Sequence, residues 1–318
     1  MTSTTEVTVP ARRQHAARRA PRGRRSAYAR RRGRAGLMFV TPFMIIYTLF
    51  MIVPIGYAVY DSLYSTKLIG GTSFTGFANY ATVLQSGPFW GGVIRVIIFG
   101  AIQIPFMLAV AFFFATVFDL GVAKFGQVFR AIYFIPFAVP IVVSALMWGF
   151  HFDPAYGPFN HLMDALGFSN FNWLSSTLML PAIIIIAIWE WTGYNSIILY
   201  TALKSVPRDL IEAAILDDTP LWKIILRIKL PMVRPAIIML VFINTIGAMQ
   251  LFIEPNILNN YQAGVITNTW TPVYDIYSTS IQSGEYQLGA AMAVVLAVII
   301  IAISAASLAF RGRRREFS

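Results

Sequence analysis

The block EAAILDDTPLWKIILRIKLP, from Glu212 to Pro231, places acids at its start and bases at its end, between two long apolar runs. Its small alanines, Ala213 and Ala214, leave a shallow surface that another protein's backbone can approach. This is docking chemistry. A second grouping centres on Glu190, which lies inside an apolar run with Trp189 and Trp191 on either side, Tyr194 four residues on and Asn195 next to that. Residues four apart share a helix face, so Glu190 and Tyr194 fall together. Aromatic rings against the C–H surface of a sugar, with a carboxylate and an amide for its hydroxyls, are what a polyol site needs. The same residues equally suit an interhelical hydrogen bond with tryptophans packed on neighbouring helices. Gln250 is a further polar candidate within an apolar run, whereas Arg95 and Glu254, near run ends, suit structural pairing or snorkelling.

Other chemistry is excluded. The sequence has no cysteine, hence no disulfide, thiolate metal site or cysteine nucleophile. His15, His151 and His161 all lie outside the apolar runs, so none can serve an intramembrane proton relay or a serine–histidine–acid set. Phosphate loops of the form G-x-x-x-x-G-K-[ST], strand-linked G-x-G-x-x-G turns and H-E-x-x-H helices are missing. No catalytic, cofactor-binding or metal-binding residue is assigned, and the chain is read as a non-enzyme that does not hydrolyse nucleotide by itself.

The chain that must position these residues is very apolar: 57% hydrophobic, 12% charged, with a mean hydropathy of +0.64. That composition belongs to an integral membrane protein. About 20 apolar residues cross the hydrocarbon layer. Six segments are that long, near 36–60, 93–118, 128–150, 180–203, 233–253 and 288–310. Pro42, Pro54, Pro105, Pro136 and Pro140 interrupt them, so kinked helices are predicted.

Basic residues test this count, because they collect on the cytoplasmic side. With the N-terminus inside, 23 of the 25 lysines and arginines fall in cytoplasmic pieces, Lys67 and Arg95 being the exceptions. The loops 151–179 and 254–287 contain neither residue type. Six spans with both ends in the cytoplasm are therefore predicted, organised as an arginine-rich arm (1–35), a membrane domain (36–310) and a basic tail (311–318). The arm holds eleven arginines against the single acid Glu6. It is read as a disordered segment that fixes topology and touches anionic lipid, with a nucleic-acid tail as the less favoured reading.

The loop 204–234 is too densely charged for hydrocarbon. Ser205 as N-cap and Pro207 in the first turn predict a helix that carries Asp209 and Glu212 where the helix dipole favours acids. Leu210, Ala213 and Ala214 would share one face, with Glu212 turned away from it. The turn Asp217-Asp218-Thr219-Pro220 ends or bends that helix. A second amphipathic run, with Leu221, Trp222, Ile225 and Ile228 on one side, is expected to lie against lipid headgroups, and Pro231 and Pro235 mark the return to the membrane.

These residues resemble the loop signature of ABC-importer permeases: E-A-A, three residues, Gly, nine residues, then I-x-L-P. Glu212, Ala213 and Ala214 match, Ile215 to Asp217 are the spacer, and Ile228, Lys229, Leu230 and Pro231 complete the pattern. Asp218 stands where the family has glycine. The likeness covers most of the chain after the arm and points to carbohydrate-type permeases, in particular the maltose-type first subunit. It runs through TGFANY (75–80), FRAIYFIPFAVPIVVSALMW (129–148), GPFN (157–160), WEWTGYN (189–195) and YQLGAAMAVVL (286–296). Where the family often has G-G-P-x-x-x-T after span five, this chain reads NNYQAGVIT.

The resemblance implies an all-α, six-helix type I importer fold forming half of a pore for a sugar. A second homologous permease would form the other half, two cytoplasmic ATPase subunits would bind ATP-Mg, and an extracytoplasmic binding protein would deliver solute. It also implies that Glu212, Ala213, Ala214, Asp217, Asp218, Ile228, Leu230 and Pro231 form the ATPase-coupling segment. Two alternatives carry different tests: a proton-driven secondary transporter would work without ATP, and a membrane-tethered nucleic-acid binder would need residues 1–30.

Overall fold

The computed structural model describes residues 37–67, 70–121, 126–168, 171–262 and 264–312. The arginine-rich arm, Lys124 and the tail from 313 lie outside them, together with the roles expected of those segments. Two compact units divide the chain, 1–57 and 58–318.

In the first unit, α1 begins at Leu37 as part of the apolar helix Leu37–Asp61. It contains a π-helical turn, Thr48–Ile52, just before Pro54. A proline ring collides with the carbonyl four residues earlier in a regular α-helix, here Phe50, and the wider π turn accommodates it.

The second unit is built on α3 (Gly87–Leu120) and α7 (Met179–Lys204), which pack lengthwise on each other. Ser86 caps α3 by accepting from the Phe89 amide at 3.3 Å, and Gly121, with φ 67°, ends it. Val93, Val96, Phe99, Met107, Ala111 and Ala115 recur at three- and four-residue steps along its buried face. In lipid such contacts are driven by close packing, which favours small residues where helices meet. Accordingly, a Cβ on Gly100 would meet Ala248 at 3.2 Å. The 38-residue span Leu221–Leu258 comprises the turn Leu221–Lys223, a π-helical stretch Ile224–Lys229, α9 (Leu230–Met249) and α10 (Ile253–Leu258). After α11 (Pro272–Tyr277), α12 (Tyr286–Gly312) supplies the last span.

The predicted third span is a bent pair, α4 (Gly126–Ala138) and α5 (Ile141–His151), whose axes differ by 93°. Pro136 lies inside α4; Pro140 takes an extended ψ of 132°, and its ring biases Val139 away from the helix. Kinked helices are the expectation; here two prolines four apart produce a corner. Among the described residues, five continuous spans and this bent pair account for the six segments.

Short loop elements were not foreseen in an all-α reading. β1 (Tyr64–Lys67) and β2 (Gly71–Phe74) form an antiparallel hairpin whose turn includes Gly70 and Gly71, both with positive φ. The TGFANY and GPFN motifs prove to be loop staples. Asn79, on α2 (Ala78–Gln85), donates to the carbonyls of Ser62 and Tyr64 at 2.9 and 2.7 Å. Asn160, on α6 (Pro158–Ala165), donates to those of Phe152 and Asp153 at 3.0 and 2.7 Å.

Candidate functional site

The segment Glu212–Pro231 departs from the predicted helix and amphipathic run in its caps and in its second half. α8 (Arg208–Leu216) does form, but Pro207 occupies its N-cap and Ser205 donates backwards to Ala202 at 2.7 Å, closing α7 instead. The proline supplies the extended ψ that a helix start requires, which leaves the serine free for the preceding carbonyl. Leu210, Ala213 and Ala214 do not share a free face. Ala214 is buried and Ile211 packs on the core, whereas Glu212, Ala213 and Asp217 are exposed and Leu216 is 85% exposed. The outward surface of α8 is thus an acid, a small residue and a bare leucine.

A Schellman motif closes α8. The amides of Asp218 and Thr219 donate to the carbonyls of Ile215 and Ala214, both at 3.0 Å. This geometry requires a left-handed residue, and Asp218, with φ 52°, is the non-glycine residue with positive φ among the described residues. Aspartate here takes the left-handed conformation that glycine adopts most readily.

The second run is not a separate helix but the start of the fifth span's helix. Leu221 to Lys229 leads directly into α9, and Pro231 and Pro235 lie within the continuous span. The π-helical stretch covers Arg227, the carbonyl that Pro231 would otherwise strike, so the proline is absorbed. Ile228, Leu230 and Pro231 are half-buried. Lys229, only 5% exposed, pairs with Asp119 at 2.5 Å, and Lys204 reaches the other oxygen of the same carboxylate at 3.1 Å. A cleft of about 330 Å³ lies between α8 and these helix ends, lined by Asp119, Lys204, Arg208, Ile211, Glu212 and Lys229 among others.

The residues predicted for a solute path separate, because consecutive helix positions point about 100° apart. Trp191 and Gln250 line a cavity of about 220 Å³ with Phe99, Gln103, Asn244, Phe252 and Glu254. Glu190 is buried at 3% exposure and faces Glu254 and Ser144. Trp189 packs edge-on against Trp148 at 5.7 Å, and Tyr194 stacks on Phe137 at 4.7 Å. Asn195 is fully buried; it donates to the Trp191 carbonyl at 2.8 Å and accepts from Asn244 at 3.0 Å. Glu254, read as an edge residue, is 5% exposed and borders the cavity. Arg95 donates to the Trp270 carbonyl at 2.6 Å and lies over its ring at 5.0 Å, a structural pairing.

A family model described as "binding-protein-dependent transport system inner membrane component" matches residues 108–315, most of the chain. The chain belongs to this family. It is 27% identical to the trehalose/maltose transport system permease protein MalF of Thermococcus litoralis, over 90% of this chain and 96% of that one. It is 30% identical to a probable ABC transporter permease protein, y4oQ, of Sinorhizobium fredii, over 90% and 93%. Its fold matches a chain of a bacterial ABC transporter involved in import of the acidic polysaccharide alginate, with a TM-score of 0.78, 21% identity, and coverage of 91% of this chain and 99% of that one. The protein is a multi-pass membrane permease component, which sets aside the proton-driven transporter; the arginine arm, on which the nucleic-acid reading rests, lies outside the described residues.

Within this permease, sequence reasoning missed Asp119, Gln103 and Asn244. Asp119 carried one usable signal: an acid at the C-terminal end of a long apolar helix opposes the helix dipole and calls for a cation. Gln103 and Asn244 are amides within apolar runs, as Gln250 is, but a one-dimensional reading does not give the shared cavity.

Proposed function

We propose that this permease forms half of the translocation pathway of an importer for a sugar or oligosaccharide. A second homologous permease forms the other half. Two ATPase subunits, holding ATP-Mg, seat on the α8 side, and a binding protein delivers solute on the opposite face. Both termini lie in the cytoplasm, a reading that the distribution of lysine and arginine supports.

The observation that carries this reading is the helix Arg208–Leu216, rigidly capped at Asp218, with Glu212, Ala213 and Leu216 exposed. A helix fixed at both ends and bare on its outer face is suited to seat in a cleft of a separate motor. Sugar as the solute is supported by the 220 Å³ cavity, where the indole of Trp191 lies with the amides of Gln103, Asn244 and Gln250. Rings and neutral amides provide stacking surface and hydroxyl partners, beside the Glu254 carboxyl at the cavity border. The test is uptake of labelled sugar into proteoliposomes holding both permeases and the ATPases. Uptake should require ATP inside and the binding protein outside; uptake by this chain alone, without ATP, would contradict the proposal.

A further inference from the structure

Both limbs of the charged loop end on one carboxylate. Lys204 is the last residue of α7, four positions before α8 begins, and Lys229 ends the π-helical stretch that follows α8. Lys204 Nζ lies 3.1 Å from Asp119 Oδ1 and 3.3 Å from the Asp119 carbonyl oxygen, and Lys229 Nζ lies 2.5 Å from Asp119 Oδ2. Asp119 is the penultimate residue of α3, the helix at the centre of the core. Its side chain is 8% exposed and that of Lys229 6%, whereas that of Lys204 is 47% exposed. The Asp119–Lys229 contact is thus a buried ion pair, and Lys204 is a partly hydrated second clamp.

Charges in such a place are costly to separate. A buried pair with good geometry resists losing one partner, because the other is then buried without compensation. Asp119 also sits at the helix end where the dipole disfavours an anion, so it depends on its two lysines. α8 itself is short, and Ile211 and Ala214 are its inward-facing residues. Val206 and Ile224, both buried, seat the two limbs on the core, and both limbs also meet at the Asp119 carboxylate.

Resting on the coupling reading above, we infer that Asp119 is the joint through which displacement of α8 is passed to α3. Lys229 and Lys204 are positioning residues that keep both limbs attached to it through the transport cycle. The pair stays closed: α8, its limbs and the end of α3 move as one body. This excludes a latch that opens on each turnover.

The absence of native cysteine permits a clean test. In the complete reconstituted importer, Asp119→Cys and Lys229→Cys are combined, and ATP hydrolysis stimulated by the loaded binding protein is measured before and after bridging with a short reducible bis-methanethiosulfonate. Unbridged, the double variant should still co-purify with the ATPases but lose about tenfold in stimulation, within the range of site-to-site coupling. Bridging should restore stimulation, and reductant should remove it again. A contact that merely supports folding would not follow the bridge in this reversible way. Full stimulation in the unbridged variant, or failure of the bridge to restore it, overturns the joint. Glu212→Ala in the same complex separates the two proposals: if it leaves both ATPase capture and stimulation untouched, the coupling reading itself fails. If Glu212→Ala uncouples while the cysteine pair is silent, only the joint fails.

Discussion

Gly193 of α7 passes directly under the backbone of Tyr133 on α4: a Cβ there would collide with the Tyr133 carbonyl oxygen and lie 3.1 Å from the Phe134 Cα. The obstacle is backbone, so no rotamer change relieves it. The contact holds the first half of the bent span against the core helix, beside the stacked rings of Phe137 and Tyr194. Gly193→Ala should destabilise the permease by about 1–3 kcal/mol, as overpacking does. Gly247→Ala, where nothing lies within 4 Å, should cost little or nothing. Thermal melting of the purified protein in detergent distinguishes the two; equal melting temperatures would show that α4 is not seated as described.

Asp218 bears on the loop's turn. A non-glycine residue in the left-handed region costs roughly 1–2 kcal/mol, less for aspartate than for most residues. Asp218→Gly should therefore leave melting unchanged or raise it slightly, and coupled ATP hydrolysis should survive. Asp218→Val should lower the melting temperature and weaken ATPase capture, since a β-branched residue resists positive φ. A severe loss of coupling in Asp218→Gly would mean that the carboxylate has its own partner on the ATPase.

The split among the tryptophans predicts two kinds of defect. Trp191→Ala and Gln250→Ala alter the cavity lining and should raise the apparent KM for uptake by about five- to tenfold, the worth of one ring or hydrogen bond to a ligand. Trp189→Phe, whose ring packs on Trp148, should leave uptake near parental. Initial-rate uptake in proteoliposomes checks both, and a reversed order would place the solute on the Trp189 side.

The loop after span five is anchored by a residue outside the family's usual pattern. Tyr261, from NNYQAGVIT, donates to the Leu146 carbonyl at 3.0 Å, and its ring lies 2.5 Å from where a Gly149 Cβ would stand. Gly149→Ala should displace the Tyr261 ring and lower thermal stability, whereas Tyr261→Phe removes only the hydroxyl contact, at about 1 kcal/mol. Comparable melting of Gly149→Ala and the parent would contradict this anchoring.

How far the fold was legible follows from where the information lies. Apolar length located all six segments, because crossing a bilayer constrains length and composition locally, but the fifth helix begins at Leu221, well before the predicted 233. Asp218 could be assigned its turn because the surrounding spacing fixes where a helix must reverse. The Asp119–Lys229 pair could not be foreseen, since 110 residues separate partners that only tertiary packing brings together. Ala214 turned inward for the same reason: helical spacing says which residues share a face, but not which face the protein covers. The 93° corner needed two prolines acting together, and the second amphipathic run continued into a span because a π turn absorbed Pro231. In the cavity, residue types were readable as sugar-binding chemistry, whereas their division between lining and packing was not.

On the proposed function, Arg208–Leu216 carries force between this permease and a separate ATPase. Glu212 is exposed, so replacing it should change the stability of the isolated chain by less than about 0.5 kcal/mol. The decisive measurement is co-purification of the ATPase with Glu212→Ala, together with ATP hydrolysis stimulated by the loaded binding protein. Loss of both with unchanged melting of the permease is predicted; retention of both would contradict the account.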